Sequence, residues 1–255
     1  MTTRILASGH IRAHRTGAGQ PILLLHSLLA DASSWSALAG LLESHAEIIV
    51  FDLPGFAGLP PIEGGLRPIA QALSIAIDEL ALARAPMVIG NGFGSFLALQ
   101  LALDHPDRVG ALTLIGAGLR FSDSGRAAFR AMREEAAAHG LAAIADTAMA
   151  RLFGADFRAD HPELIAERRA AFLRTNPTQF GAACAALEAL DFAPDIDRLT
   201  ASTRILVGAE DQATPPAMAQ ALAAAIQGAT LDILAGLAHV PQLQDPAAIA
   251  QLIAA

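Results

Sequence analysis

A series of short apolar runs, separated by stretches of helical pattern, most tightly limits what this chain can fold into. The runs at residues 21–25, 47–51, 87–90, 110–116, 203–207 and 230–234 are of strand length, and most end in glycine, proline or a polar turn. Near-continuous apolar runs suit strands buried on both faces, as in a parallel sheet. Helical patterns follow at about 33–44, 69–83, 93–104, 216–226 and 246–253, with a serine near 33 available as the first helix's N-cap. Residues 4–15 alternate loosely and end at Gly17-Ala18-Gly19, which reads as a hairpin leading into the next strand.

From residue 120 to 197 the pattern changes: no strand-like run appears, and helical segments follow at about 124–139, 141–153, 162–175 and 177–190. Strand and helix alternate on both sides of this insertion. The expected fold class is α/β, a mostly parallel sheet with helices on both faces and an all-helical cap inserted. The expected division is a core of residues 1–119 and 198–255 and a cap of residues 120–197. Ligands in such sheets bind at the strands' carboxyl ends, so a cap there would cover a pocket.

Composition narrows the function classes. The formal net charge is −8, and all 17 basic residues are arginines. An acidic chain without a basic stripe argues against nucleic acid. No run approaches the ~20 apolar residues of a membrane span, and residues 1–10 lack the apolar core of a signal peptide. The lone cysteine, Cys184, excludes an internal disulfide and sits in a helical run as a small core residue. A cytoplasmic protein, monomer or homodimer, is expected. His10 and His14 lie four apart on a strand-like segment and so face one side, but no further ligand joins them, and no metal site is expected.

Four turns fall at the carboxyl ends of expected strands: residues 26–28, 90–94, 208–215 and 236–241. Gly90-Asn-Gly-Phe-Gly94 lacks the Gly-Lys-Ser/Thr of a phosphate loop. In this order, however, the turns resemble those of the α/β-hydrolase superfamily over essentially the whole chain. His26-Ser27-Leu28 resembles that family's His-Gly oxyanion turn, with serine where glycine is common. Asp52-Leu-Pro-Gly-Phe56 resembles its Asp-x-Pro-Gly turn, Asp211 with Thr214-Pro215 its acid turn, and His239 with Pro241 its histidine turn. Three stretches, residues 26–31, 176–187 and 214–218, are similar to 3-oxoadipate enol-lactonases and related small esterases; carbon–carbon bond hydrolases share the elbow pattern.

The resemblance implies acyl transfer on a small carboxylic ester or lactone, without a cofactor. It gives His239 the base role, Asp211 the orienting role, and the N–H groups of Leu28 and Phe93 the oxyanion hole. Glu210 is adjacent, but the spacing to Thr214-Pro215 favours Asp211. His26 is expected to support its turn. The nucleophile position of the Gly-x-Ser-x-Gly elbow is Gly92, and Ser95 lies one helical turn too far on to stand in. Loss of a triad serine costs about 10⁶-fold in turnover, so the chain as written is expected to be inactive or strongly impaired. Glycine relieves the strain of the elbow's positive-φ geometry. Two readings stay open: an inactivated serine hydrolase, or a natural member that binds ligands or uses His239 with Asp211 as a general base. Among the cap arginines Arg126, Arg130, Arg133, Arg151, Arg168, Arg169 and Arg174, one could meet a substrate carboxylate.

Overall fold

The computed structural model describes residues 2–254. Eight strands form one sheet: β1 (Thr2–Leu6), β2 (Ile11–Gly17), β3 (Gln20–Leu25), β4 (Ala46–Asp52), β5 (Met87–Asn91), β6 (Ala111–Ile115), β7 (Thr203–Gly208) and β8 (Thr230–Leu234). Their order is β1-β2-β4-β3-β5-β6-β7-β8. The six strands from β4 to β8 pair in parallel, and β1 and β2 add an antiparallel edge.

The apolar runs have a direct cause. On β3 and β4, Leu23, Leu25, Ile49 and Phe51 point into one core cluster, whereas Ile22, Leu24, Ile48 and Val50 point into another. The first cluster is closed by helices α2 (Leu66–Leu80) and α3 (Phe93–Asp104), the second by α1 (Ser36–Leu42) and α11 (Pro246–Ala254). Along these central strands both sheet faces are dry, so successive residues are apolar, whereas the edge strands β1 and β8 are partly exposed. Helix α3 is buried on every side from Phe93 to Leu103, which is why it carries no polar face.

Two local expectations need correction. Gly17-Ala18-Gly19 does not close a hairpin between adjacent strands: β4 lies between β2 and β3. The hairpin is β1–β2, turning at residues 7–10. The first helix is not capped by serine; Asp31 caps a short 3₁₀ turn, Ala32–Trp35, by accepting from the Ser33 N–H, and α1 follows.

Between β6 and β7 the described residues form helices α4 (Asp123–His139), α5 (Ala145–Leu152), α6 (Ala155–Asp160), α7 (Pro162–Phe172) and α8 (Pro177–Glu188). Gly140, at φ 80°, starts a 3₁₀ turn over Leu141–Ile144 that breaks the expected 141–153 helix. Helix α6 was not foreseen: none of its six residues is buried, so it lacks an apolar stripe. The two ends of this insertion meet at a single antiparallel bridge, Arg120 with Asp191, and the Phe192 N–H donates to Leu119 O at 2.9 Å. Helices α9 (Pro216–Ala225) and α10 (Pro241–Gln244) complete the chain. Among the described residues no helix is long and apolar enough to cross a membrane.

Candidate functional site

Strand β5 ends at Asn91, and α3 begins at Phe93; the turn between them is one residue, Gly92, at φ 52° and ψ −115°. Its N–H donates to Ile115 O at 2.9 Å. The flanking glycines allow the crossing. A Cβ on Gly94 would lie 2.1 Å from Leu25 O, and one on Gly90 would lie 2.3 Å from Gly94 O. Ser95 is fully buried, and its hydroxyl reaches Gly90 O and Ile115 O at 2.7 and 2.8 Å, tying the helix to the sheet. Ser95 therefore faces away from any ligand.

The turns after β7 and β8 meet at Gly92. His239 Nδ1–H donates to Asp211 Oδ2 at 2.8 Å, with both side chains buried. The same carboxylate accepts from the N–H groups of Ala213 and Thr214 at 2.8 Å each and from the Thr214 hydroxyl at 2.7 Å. Burial pushes the Asp211 carboxyl up, but the facing imidazole and these hydrogen bonds outweigh it and hold the pKa below the ordinary carboxylate value. With Nδ1 committed as donor, Nε2 is the free acceptor. It points at Gly92: a Cβ there would be 2.6 Å from Nε2 and 2.8 Å from the Ser27 hydroxyl oxygen.

Three supports were not legible in the sequence as such. Buried Asn91 donates to the His239 carbonyl at 2.8 Å and accepts from Gln242 at 3.1 Å. The Thr214 hydroxyl orients the acid. Gly116, at φ 64°, leaves the room they need, since a Cβ there would fall 2.8 Å from Thr214 Oγ1 and 3.0 Å from His239 Nδ1. The only trace of these roles in the sequence was the placement of Asn91 and Gly116 at strand ends and of Thr214 in the acid turn.

His26 supports its turn. Its Nδ1–H donates to Ser27 O at 2.9 Å, and its Nε2 accepts the Leu53 N–H at 3.2 Å. Burial pushes its pKa down, against the Ser27 carbonyl, Asp52 and Asp31, so the ring is neutral at pH 7. His10 and His14 do not share a strand: His10 is in the β1–β2 turn beside Pro60 O, whereas His14 Nε2 meets Asp52 at 3.0 Å. Cys184 is buried, its thiol pushed up to about 12 by burial.

Ser27, Leu28, Gly92, Phe93, Thr214 and His239 border one cavity of about 30 Å³. Phe93 opens α3, so its N–H lacks an intrahelical partner. Six arginines of the helical insertion are engaged elsewhere: Arg126 on the Phe121 carbonyl, Arg130 and Arg133 on Glu188, Arg169 on Asp146, and Arg168 and Arg174 on Asp31. Arg151 alone among the seven lines the cavity. Its guanidinium lies 5.6 Å from the Phe129 ring centre, and among the described residues it has no ion-pair partner.

Comparison with known proteins bears on the fold and the family. A protein named as a carbamate hydrolase, RutD, from Variovorax paradoxus is 27% identical over 244 residues, covering 93% of this chain and 91% of that one. The 3-oxoadipate enol-lactonase 2 of Acinetobacter baylyi is 24% identical, over 91% of this chain and 86% of its own. The solved enol-lactonase of Burkholderia xenovorans superposes with a TM-score of 0.92 at 23% identity, covering 99% of this chain and 98% of that one. The model of the alpha/beta hydrolase family matches residues 22–252, and the chain belongs to that family.

Proposed function

We propose that the site accepts a small carboxylic ester or lactone for acyl transfer, with His239 as base, Asp211 as its orienting acid, and the Leu28 and Phe93 N–H groups as oxyanion donors. The observation that carries this reading is the free Nε2 of a carboxylate-held imidazole, aimed at the turn between β5 and α3. Helices α4 to α8 act as the cap, within residues 120–197. The cavity volume, about 30 Å³, is far below the ~300–1,000 Å³ of small-molecule sites, which favours a compact substrate. Arg151, the cavity's unpaired cation, favours one carrying a carboxylate. The chain works in the cytoplasm on a diffusible substrate.

Gly92 removes the hydroxyl from the elbow, so turnover by that route is strongly impaired, by a factor of order 10⁶. The experiment is Gly92→Ser, assayed on short p-nitrophenyl esters and on enol-lactones. The expected result is a rise of several orders of magnitude in kcat. The serine needs a small recoil of the His239 ring and a turn of the Ser27 side chain, both at side-chain ends. No gain in a folded variant would overturn the reading.

A further inference from the structure

The space beside Gly92 is approached from two directions. His239 Nε2 comes within 2.6 Å of the point a Cβ would occupy, and Ser27 Oγ within 2.8 Å of the same point. A hydroxyl and a base nitrogen thus flank the point where the Cβ of an elbow serine would otherwise stand. We propose that Ser27 supplies the missing nucleophile. In the chain as it stands, Ser27 Oγ attacks the acyl carbon and His239 Nε2 takes its proton. The proposal rests on the ester or lactone reading above and adds to it the atom that forms the acyl-enzyme.

Three further observations support Ser27. Its hydroxyl is uncommitted: among the described residues it makes no hydrogen bond, whereas buried Ser95 and Ser34 spend theirs on backbone carbonyls. Its backbone is fixed, because Ser27 O accepts both the His26 Nδ1–H at 2.9 Å and the Ala30 N–H at 3.2 Å. The side chain therefore moves from a rigid turn by rotation about one bond. Finally, it borders the same cavity as His239, Leu28 and Phe93. The Leu28 N–H follows Ser27 directly in the chain, the relation that the Phe93 N–H has to position 92, so an oxyanion donor accompanies the nucleophile in either place.

The glycine at 92 is part of this arrangement. A Cβ 2.8 Å from Ser27 Oγ is inside van der Waals contact, so a side chain at 92 and the present Ser27 rotamer exclude each other. Without that side chain the imidazole can lean over Gly92 toward Ser27.

The step balances without a further reactant than water. The Ser27 oxygen forms a bond to the acyl carbon, its proton passes to His239 Nε2, and the carbonyl electron pair moves to the oxygen held by the N–H donors. Collapse breaks the bond to the leaving alkoxide, which takes the proton from His239. Water then adds to the Ser27 ester, with His239 taking one of its protons. The carboxylic acid leaves, and the proton returns to Ser27.

The test begins with the unaltered chain, so it does not depend on a variant folding. Incubation with a fluorophosphonate, followed by peptide mass mapping, is expected to give one adduct, on Ser27. Adduct formation is lost in His239→Ala. No adduct, or one elsewhere, overturns the proposal. On a short p-nitrophenyl ester, Ser27→Ala lowers the parent rate by about 10²-fold or more. An unchanged rate in this variant means that His239 activates water directly, and it also overturns the proposal. The double variant Gly92→Ser with Ser27→Ala separates the two claims. If it hydrolyses the ester while the parent gives no Ser27 adduct, Ser27 fails and the ester or lactone reading stands. If neither Gly92→Ser nor the double variant gains activity, that reading fails too.

Discussion

The seam between sheet and cap can be tested with two glycines three residues apart. Gly55 and Gly58 share φ 79°, so alanine at either position meets the same unfavourable backbone region. They differ in what a Cβ would touch. At Gly58 nothing lies within 4 Å, whereas at Gly55 it would fall 2.2 Å from Gln179 Cβ and 2.4 Å from Gln179 Cγ. Ordinary carbon contact is about 3.5–4.0 Å, so Gly55→Ala must push α8 away from the Pro54–Gly55 turn. Gln179 has little freedom to retreat: it is fully buried, and its Oε1 accepts the Ile62 N–H at 3.0 Å. One residue from α8's start, the Asn176 N–H donates to Gly55 O at 2.9 Å, binding the same turn. Gly58→Ala is expected to cost only backbone strain, about 1 kcal/mol. Gly55→Ala adds overpacking of ~1–3 kcal/mol, about 2–4 kcal/mol in all. At roughly 2–4 °C per kcal/mol for a chain near this size, the two should melt about 2–4 °C and about 4–16 °C below the parent. Thermal unfolding followed by circular dichroism reads both. Equal shifts would refute the tight seam, because the backbone contribution is matched by design.

Two more outcomes follow from the site. His26 is held neutral, with a pKa below its ordinary 6.5, so below pH 6.5 the unfolded chain binds the proton more readily than the folded one. Stability therefore falls as the pH drops through this value. His26→Gln, which keeps a donor and an acceptor without titrating there, flattens this limb of a melting-temperature profile; an unchanged limb counts against the assignment. Asp211, with its depressed pKa, adds a second loss, as the pH falls through the acid range below its ordinary 3.8. In the Gly92→Ser background, Arg151→Met should raise KM for a carboxylate-bearing ester by about 10–100-fold, the worth of one charge-assisted hydrogen bond. The rise for the corresponding methyl ester should be far smaller, and equal rises would remove Arg151 from substrate recognition.

The strands could be read from local physics, the site from the resemblance of its turns to a known family. Strands β3 to β7 were legible because both sheet faces are buried, which leaves a continuous apolar run in each. The dyad was legible through resemblance, since Asp211 with Thr214-Pro215 and His239 with Pro241 match the acid and histidine turns of α/β hydrolases. What escaped depended on distant approach. Gly17 looked like a hairpin residue, yet a Cβ there would lie 2.2 Å from Ala46 O and 2.5 Å from Glu43 O. Its glycine serves a close approach to the start of β4, a strand that enters between β2 and β3 only in three dimensions. The role of Asp31 was hidden in the same way, since its cap arginines Arg168 and Arg174 are more than 130 residues away in sequence. Ser27 was visible as a residue, but the heading of its hydroxyl is set by how the β3 turn faces the β8 turn.

The dyad's independence from residue 92 explains how such a site stays folded without its elbow hydroxyl. Asp211 is satisfied by two N–H groups, the Thr214 hydroxyl and the imidazole. The imidazole is held by Asp211, and its backbone carbonyl by Asn91. None of these bonds involves a side chain at 92, so they persist without one; the group left without a protein partner is His239 Nε2, which borders the cavity. Glycine also suits φ 52° better than any residue with a side chain. Restoring serine must therefore strain the backbone and displace His239 and Ser27 while supplying an attacking oxygen. Stability and elbow-dependent turnover consequently move in opposite directions at this position. A Gly92→Ser chain that melts higher than the parent and also hydrolyses esters faster would contradict the geometry of the turn.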